Sequence, residues 1–162
     1  MNEERTLRVD RMRFTKNKLS STLAIIAIVF DVFYFVSIYK SDVGSWYYSI
    51  LVGASIIYNL VFMLAVFLAS EGVKNYKEGY SYLLMVIGVF QIVRIFILPM
   101  KAHSATVTIK DEVMAVMGNA QFTRVVLYLV ISAVCCIASA VINIKKSRML
   151  EAHTATLDGN KA

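Results

Sequence analysis

Four apolar blocks, each about as long as a bilayer is thick, constrain this chain more than any other feature. They run over residues 19–39, 46–70, 80–99 and 125–144. A helix needs ~20 such residues to cross ~30 Å of hydrocarbon, and lipid cannot satisfy the backbone groups of an open structure. The pattern predicts an all-α integral membrane protein, a four-transmembrane-helix antiparallel bundle. Of the 162 residues 58% are hydrophobic, more than a soluble domain carries, and the excess lies in these blocks. The chain divides into a basic segment, 1–18, a four-helix membrane domain, 19–144, and a tail, 145–162. Too little lies outside the spans for a large soluble domain. The first block is longer than the apolar core of a cleavable signal peptide, and it ends in Ile38-Tyr39-Lys40.

Lysine and arginine placement sets the expected orientation. Arg5, Arg8, Arg11, Arg13, Lys16 and Lys18 precede the first span, Lys74 and Lys77 follow the second, and Lys145, Lys146, Arg148 and Lys161 follow the fourth. The other side has only Lys40, Lys101, Lys110 and Arg124. The reading is N-in/C-in, multi-pass in the plasma membrane, with both termini cytoplasmic. Tyr39, Trp46, Tyr47 and Tyr48 fall at the outer interface, and Tyr76, Tyr80 and Tyr82 at the inner one, where amphipathic rings favour the headgroup level. The net charge of +6 is explained by these membrane flanks, so nucleic acid is not an expected partner. Arg5, Arg8 and Arg11 form a stripe at helical spacing that can lie on anionic lipids of the inner leaflet.

The connections differ in kind. Ser41-Asp42-Val43-Gly44 makes a short turn between the first two spans. Gly72 is well placed to cap the C-terminus of the second. The third and fourth spans are separated by a long outer loop from Met100 to Arg124. Its first part alternates Ala105, Val107 and Ile109 with Thr106, Thr108 and Lys110, which predicts an extended piece. Asp111 is then expected to cap a short helix, Glu112 to Met117, ended by Gly118-Asn119.

Two ionisable residues lie inside the spans, Asp31 in the first and Arg94 in the third. Each costs ~2.5–3.5 kcal/mol at mid-bilayer, so each needs an explanation. Counting residues from the inner ends puts them within ~3–5 Å of the same depth, so a pair is geometrically available. Ser20, Ala24, Ala27 and Asp31 share one helix face, as do Gly88, Gln91 and Arg94. Small residues let membrane helices approach. Ser55, Asn59 and Met63 mark a similar face on the second span, and Ser132, Cys135, Ser139 and Asn143 one on the fourth. The candidate intramembrane polar pair or pathway residues are therefore Asp31, Arg94, Asn59 and Gln91. Two roles are open to them, glue between helices or a proton or cation route through Asp31. Arg94 can also snorkel outward or, like Asp31, face another subunit.

No catalytic motif accompanies these residues. Metal-ligand spacing and phosphate loops are absent from the sequence, and the adjacent Cys135 and Cys136 are disfavoured as a disulfide. His103 and His153 fall on opposite sides of the membrane. No cofactor and no enzymatic activity is expected. The leading expectation is a non-catalytic accessory or structural subunit of a multi-subunit membrane complex, a transporter such as an ABC-type importer, whose permeases would be its partners. The alternatives are a small oligomeric ion- or proton-coupled transporter using Asp31, and a membrane enzyme acting on lipid.

Overall fold

A computed structural model describes residues 16–38, 46–104, 106–109, 112–115 and 117–159. The elements are α1 (Lys18–Ile38), α2 (Trp46–Lys74), α3 (Glu78–Ile97), α4 (Pro99–Ser104), β1 (Thr106–Ile109), β2 (Glu112–Ala115) and α5 (Asn119–Gly159). The helices α1, α2, α3 and α5 are each long and apolar enough to cross a membrane. They pack as a four-membered ring in which α5 lies against α1 and α3, and α2 lies against the same two. Hydrogen bonds give the directions. Ser20 of α1 meets Ser139 and Asp31 meets the Gln91–Ser132 level, so α1 and α5 run oppositely. Ser70 of α2 faces Ser21 while Ser55 faces Arg94, so α2 is antiparallel to α1 and α3.

The bundle is polar inside and apolar outside. Ile57, Leu64 and Phe67 are 65%, 62% and 56% exposed, whereas Asp31, Asn59, Gln91, Ser132 and Asn143 are completely buried. That inversion suits a bilayer, where apolar faces meet lipid and polar groups must find one another. The middle is an apolar layer of Ala24, Ala27, Phe62, Val66, Leu84, Cys136 and Ala140.

At the end where α1 begins, a hydrogen-bonded knot closes the ring. Asn17 caps α1: its backbone carbonyl accepts from Ser21 N–H at 3.3 Å, and its Oδ1 accepts from Ser20 N–H at 3.4 Å. It also donates through Nδ2 to Asn143 Oδ1 at 2.9 Å and through its backbone N–H to the Lys74 carbonyl at 2.9 Å. Asn143 in turn donates to Ser81 Oγ at 2.7 Å. On the α1–α5 seam the Ser20 and Ser139 hydroxyls each donate to the other's backbone carbonyl.

Several boundaries differ from the sequence expectations. The second helix continues past residue 70 to Lys74, where Val73 is fully buried. Gly72 is not its cap. The Lys77 N–H bonds the Gly72 carbonyl, the Tyr76 N–H bonds the Val73 carbonyl, and Tyr76 takes the left-handed conformation with φ 59°. This is the Schellman pattern, with tyrosine at the position glycine usually holds. Gly72 serves close approach instead: a Cβ there would overlap the Tyr80 ring. The third helix stops at Ile97, because Pro99 opens a new helix, α4. Proline lacks the N–H that a continuing helix needs and suits a first helical position.

The expected short helix Glu112 to Met117 is instead a strand. β2 pairs antiparallel with β1 in the register Thr106↔Ala115 to Ile109↔Glu112. A four-residue strand alone leaves its backbone groups unpaired, and the following segment supplies the ladder. Gly118 does not end a helix but begins one, its carbonyl accepting from Gln121 and Phe122 N–H. The fourth long helix is expected at 125–144 and runs from Asn119 to Gly159. Apolarity marks only its membrane portion, while the flanking residues are equally compatible with helix. The Arg5–Arg8–Arg11 stripe, the Ser41–Gly44 turn, Tyr39 and Asp111 lie outside the described residues.

Candidate functional site

All four long helices meet in one polar layer. Asp31 comes from α1, Ser55 from α2, Gln91 and Arg94 from α3, and Ser132 from α5. Gln91 and Arg94 are three residues apart, so they rise from one face of α3. Arg94 Nη1 donates to Asp31 Oδ1 at 3.1 Å and to Gln91 Oε1 at 3.4 Å, and Nη2 donates to Ser55 Oγ at 3.0 Å. Gln91 Nε2 donates to Asp31 Oδ1 at 2.9 Å and to Ser132 Oγ at 3.4 Å. The Ser132 hydroxyl donates a hydrogen bond to the Ala27 carbonyl at 3.0 Å, one turn before Asp31. The guanidinium carbon lies 4.2 Å from the Tyr34 ring centroid and 4.6 Å from that of Tyr58. Stacking of this kind favours a cation that has left water.

The layer brings together Asp31, Gln91 and Arg94, and it turns Arg94 inward instead of letting it snorkel; only 6% of the residue is exposed. The Asp31–Arg94 pair crosses the ring diagonally, between helices that otherwise touch little. Asn59 is placed differently. It lies one turn along α2 from Ser55, is completely buried, and has no hydrogen-bond partner for either side-chain atom among the described residues. Asp31 Oδ2 is likewise without a hydrogen bond. Of the expected stripe on α5, Ser132, Ser139 and Asn143 are buried, whereas Cys135 is half-buried and its neighbour Cys136 takes the interior position; both cysteines are free thiols. Met63 is half-buried, and Phe62 and Val66 take the interior positions on α2.

Sequence reasoning missed Tyr34, Tyr58 and Asn17. The first two carry a readable signal, since each lies three residues after a polar residue of the layer, Asp31 and Ser55. Asn17 stands immediately before the first helical residue, where an asparagine is a strong capping signal. His103 is not simply solvated: its ring stacks on Phe122 at 4.5 Å, and Nδ1 lies 3.2 Å from the Met117 carbonyl.

A groove of about 230 Å³ opens between α2 and α3, with Ser55 and Arg94 among its lining residues. Among the described residues no cluster of three or more His, Cys, Asp or Glu is arranged to hold a metal ion. The layer is thus an ion pair with one unbonded carboxylate oxygen, Asp31 Oδ2, and the unbonded amide of Asn59 lies one turn away along α2. Comparison with known protein families, curated proteins and solved structures finds no match to this chain.

Proposed function

We propose that the chain is a non-catalytic accessory subunit of a larger membrane assembly, a transporter of the ABC-importer kind, set in the plasma membrane with both termini cytoplasmic. The observation that carries this is the closed interior. Asp31 and Arg94 neutralise each other within one chain, Gln91 from the helix of Arg94 bonds both of them, Ser55 of α2 accepts from Arg94, and Ser132 of α5 accepts from Gln91. The polar residues are therefore spent on holding four helices together, while the outer faces are left for lipid and other subunits. The orientation is supported by charge. Lys16, Lys18, Lys74, Lys77, Lys145, Lys146 and Arg148 gather at the end where Asn17, Lys74 and Lys146 are bonded together. The opposite end carries Lys101 and Arg124 among the described residues, as the positive-inside rule requires. Affinity purification from native membranes in mild detergent tests the proposal. Recovery of the same additional subunits at constant ratio supports it, and a chain that emerges alone or only with itself overturns it.

A second reading, an ion- or proton-coupled transporter, is favoured by the orphaned Asp31 Oδ2 and the unbonded Asn59. It requires that Asp31→Asn abolish a pH-dependent flux from proteoliposomes while the bundle still assembles. Absence of any such flux in the unaltered protein removes it.

A further inference from the structure

Two buried polar groups of the bundle interior lack hydrogen bonds, and they stand together. Asn59 is completely buried, and neither its Oδ1 nor its Nδ2 is bonded among the described residues. Asp31 is completely buried too, and its Oδ2 is unbonded although Oδ1 takes two donors. Hydrocarbon cannot satisfy such groups, so each needs a partner held inside the protein.

Helix register sets their separation. Ser21 of α1 meets Ser70 of α2 at 3.2 Å, and the two helices run antiparallel. Asp31 is ten residues after Ser21, and Asn59 is eleven before Ser70. At 1.5 Å per residue these steps are about 15 and 17 Å along the two axes, so the residues share one depth to within about 2 Å. Direction agrees. Asn59 belongs to the buried stripe Ser55, Asn59, Phe62 and Val66 of α2, and Asp31 to the stripe Ala24, Ala27 and Asp31 of α1. Phe62 and Val66 pack in one cluster with Ala24 and Ala27. Arg94 is a second tie between the two faces, since one guanidinium bonds both Asp31 and Ser55. Carboxylate and amide therefore face one gap, which they do not close with a direct bond. Small side chains flank it one turn away, Ala27 on α1 and Ser55 on α2.

The polar atoms decide what fits there. Asp31 Oδ2 and Asn59 Oδ1 accept, and Asn59 Nδ2 donates. A metal cation serves the two acceptors but not the amide N–H, and Arg94 already neutralises the carboxylate. An anion serves the N–H but is repelled by the carboxylate. A small neutral molecule that donates twice and accepts once matches all three atoms. Water has that pattern, and a buried water typically makes about three hydrogen bonds.

We propose that Asp31 and Asn59 hold one internal water molecule. It donates to Asp31 Oδ2 and to Asn59 Oδ1 and accepts from Asn59 Nδ2, which ties α2 to α1 at the depth of the ion pair. The site rests on neither functional reading, since it requires only the folded chain.

The test uses the full-length protein in lipid nanodiscs, labelled with 15N-asparagine. The Asn59 side-chain amide signal is assigned by its loss in Asn59→Leu. In the unaltered protein it should show a cross-relaxation peak to water, with the sign of a molecule held for longer than nanoseconds. Absence of that peak overturns the proposal. Asn59→Leu should lower the thermal midpoint by about 3–6 °C, because the carboxylate oxygen loses its donor and leucine gains little by leaving lipid. A variant as stable as the parent, or more so, overturns the proposal, because an amide without a partner has no bond to lose. Asn59→Ser keeps a hydroxyl that donates and accepts, so it should recover at least half of the loss; an equal loss in both variants counts against the water. A shift of the Asn59 amide signal with sodium or potassium chloride, but not with choline chloride, would make the occupant a cation and overturns the proposal as well.

Discussion

Asn17 ties three helices with one side chain and its backbone, and its removal should be felt accordingly. Asn17→Ala loses a helix cap, about 1 kcal/mol, and leaves Asn143 Oδ1 buried without its donor, about 1–3 kcal/mol more. The expected total is a loss of about 2–4 kcal/mol, read as a lowered thermal midpoint in one fixed detergent; Ser21→Ala, which removes only the 3.2 Å contact to Ser70, should cost about 0.6 kcal/mol. The Asp31–Arg94 pair gives a sharper test because its members fail differently alone and together. Asp31→Asn or Arg94→Gln alone leaves an uncompensated buried charge and should cost about 3–5 kcal/mol. The double variant has no net charge to bury, so its loss should be well below the sum of the singles. A sum that is simply additive would mean that the two residues do not act on each other. Arg94→Lys is not a mild change at this position: an ammonium cannot reproduce the forked bonds to Asp31 and Ser55 or present a planar cation to the Tyr34 and Tyr58 rings.

The four spans were legible at the scale of elements because their length and apolarity are local properties of the sequence. The α1 and α3 faces were legible too, since Ala24, Ala27 and Asp31, or Gly88, Gln91 and Arg94, fall at helical spacing. The element ends were not. The left-handed position after α2 is Tyr76 rather than the nearby Gly72, because what fixes each is tertiary: Tyr80 lies over Gly72 and permits no side chain there, and the Tyr76 carbonyl is held by Ser147 Oγ at 3.1 Å. The β1–β2 hairpin was hidden for the same reason. Val107 and Ile109 announce an extended segment, but nothing local says that residues 112–115 pair with it. These two positions make opposite predictions. Gly72→Ala forces the Tyr80 ring to move and should destabilise by about 1–3 kcal/mol. Tyr76→Gly removes left-handed strain, worth about 1–3 kcal/mol, and loses a half-buried ring, so its effect should be near zero or stabilising. Both are read from the same melting assay, and a Gly72→Ala protein as stable as the parent would show that the ring has room to give.

On the scale of the whole molecule, the two ends of the bundle are built by different means. The end with Asn17 is closed by a network of amide and hydroxyl bonds between helices, whereas the opposite end is closed mainly by apolar contact among Tyr34, Ile38, Leu98, Met117, Val125 and Leu129, with one amide bond from Gln121 to the Ser37 carbonyl. From the first end, among the described residues, α5 continues outward. Among the residues of α5 whose burial is described Ser147 is the last buried one, and Met149, Glu151, Ala152 and Thr154 beyond it are exposed. The described helix runs a further 12 residues after Ser147, about 18 Å at 1.5 Å per residue. That length is unnecessary for spanning the bilayer, and among the described residues it contributes nothing buried to the ring. A chain ended after Arg148 should therefore keep the stability of the parent bundle within about 0.5 kcal/mol. If the projecting helix is the part that other subunits grip, the same shortened protein should lose its co-purifying subunits in mild detergent while still inserting in the membrane. Retention of those subunits would place the grip on the lipid-facing surfaces of α2 and α3 instead, and Ala54→Trp and Ile57→Trp would then be the variants that weaken it.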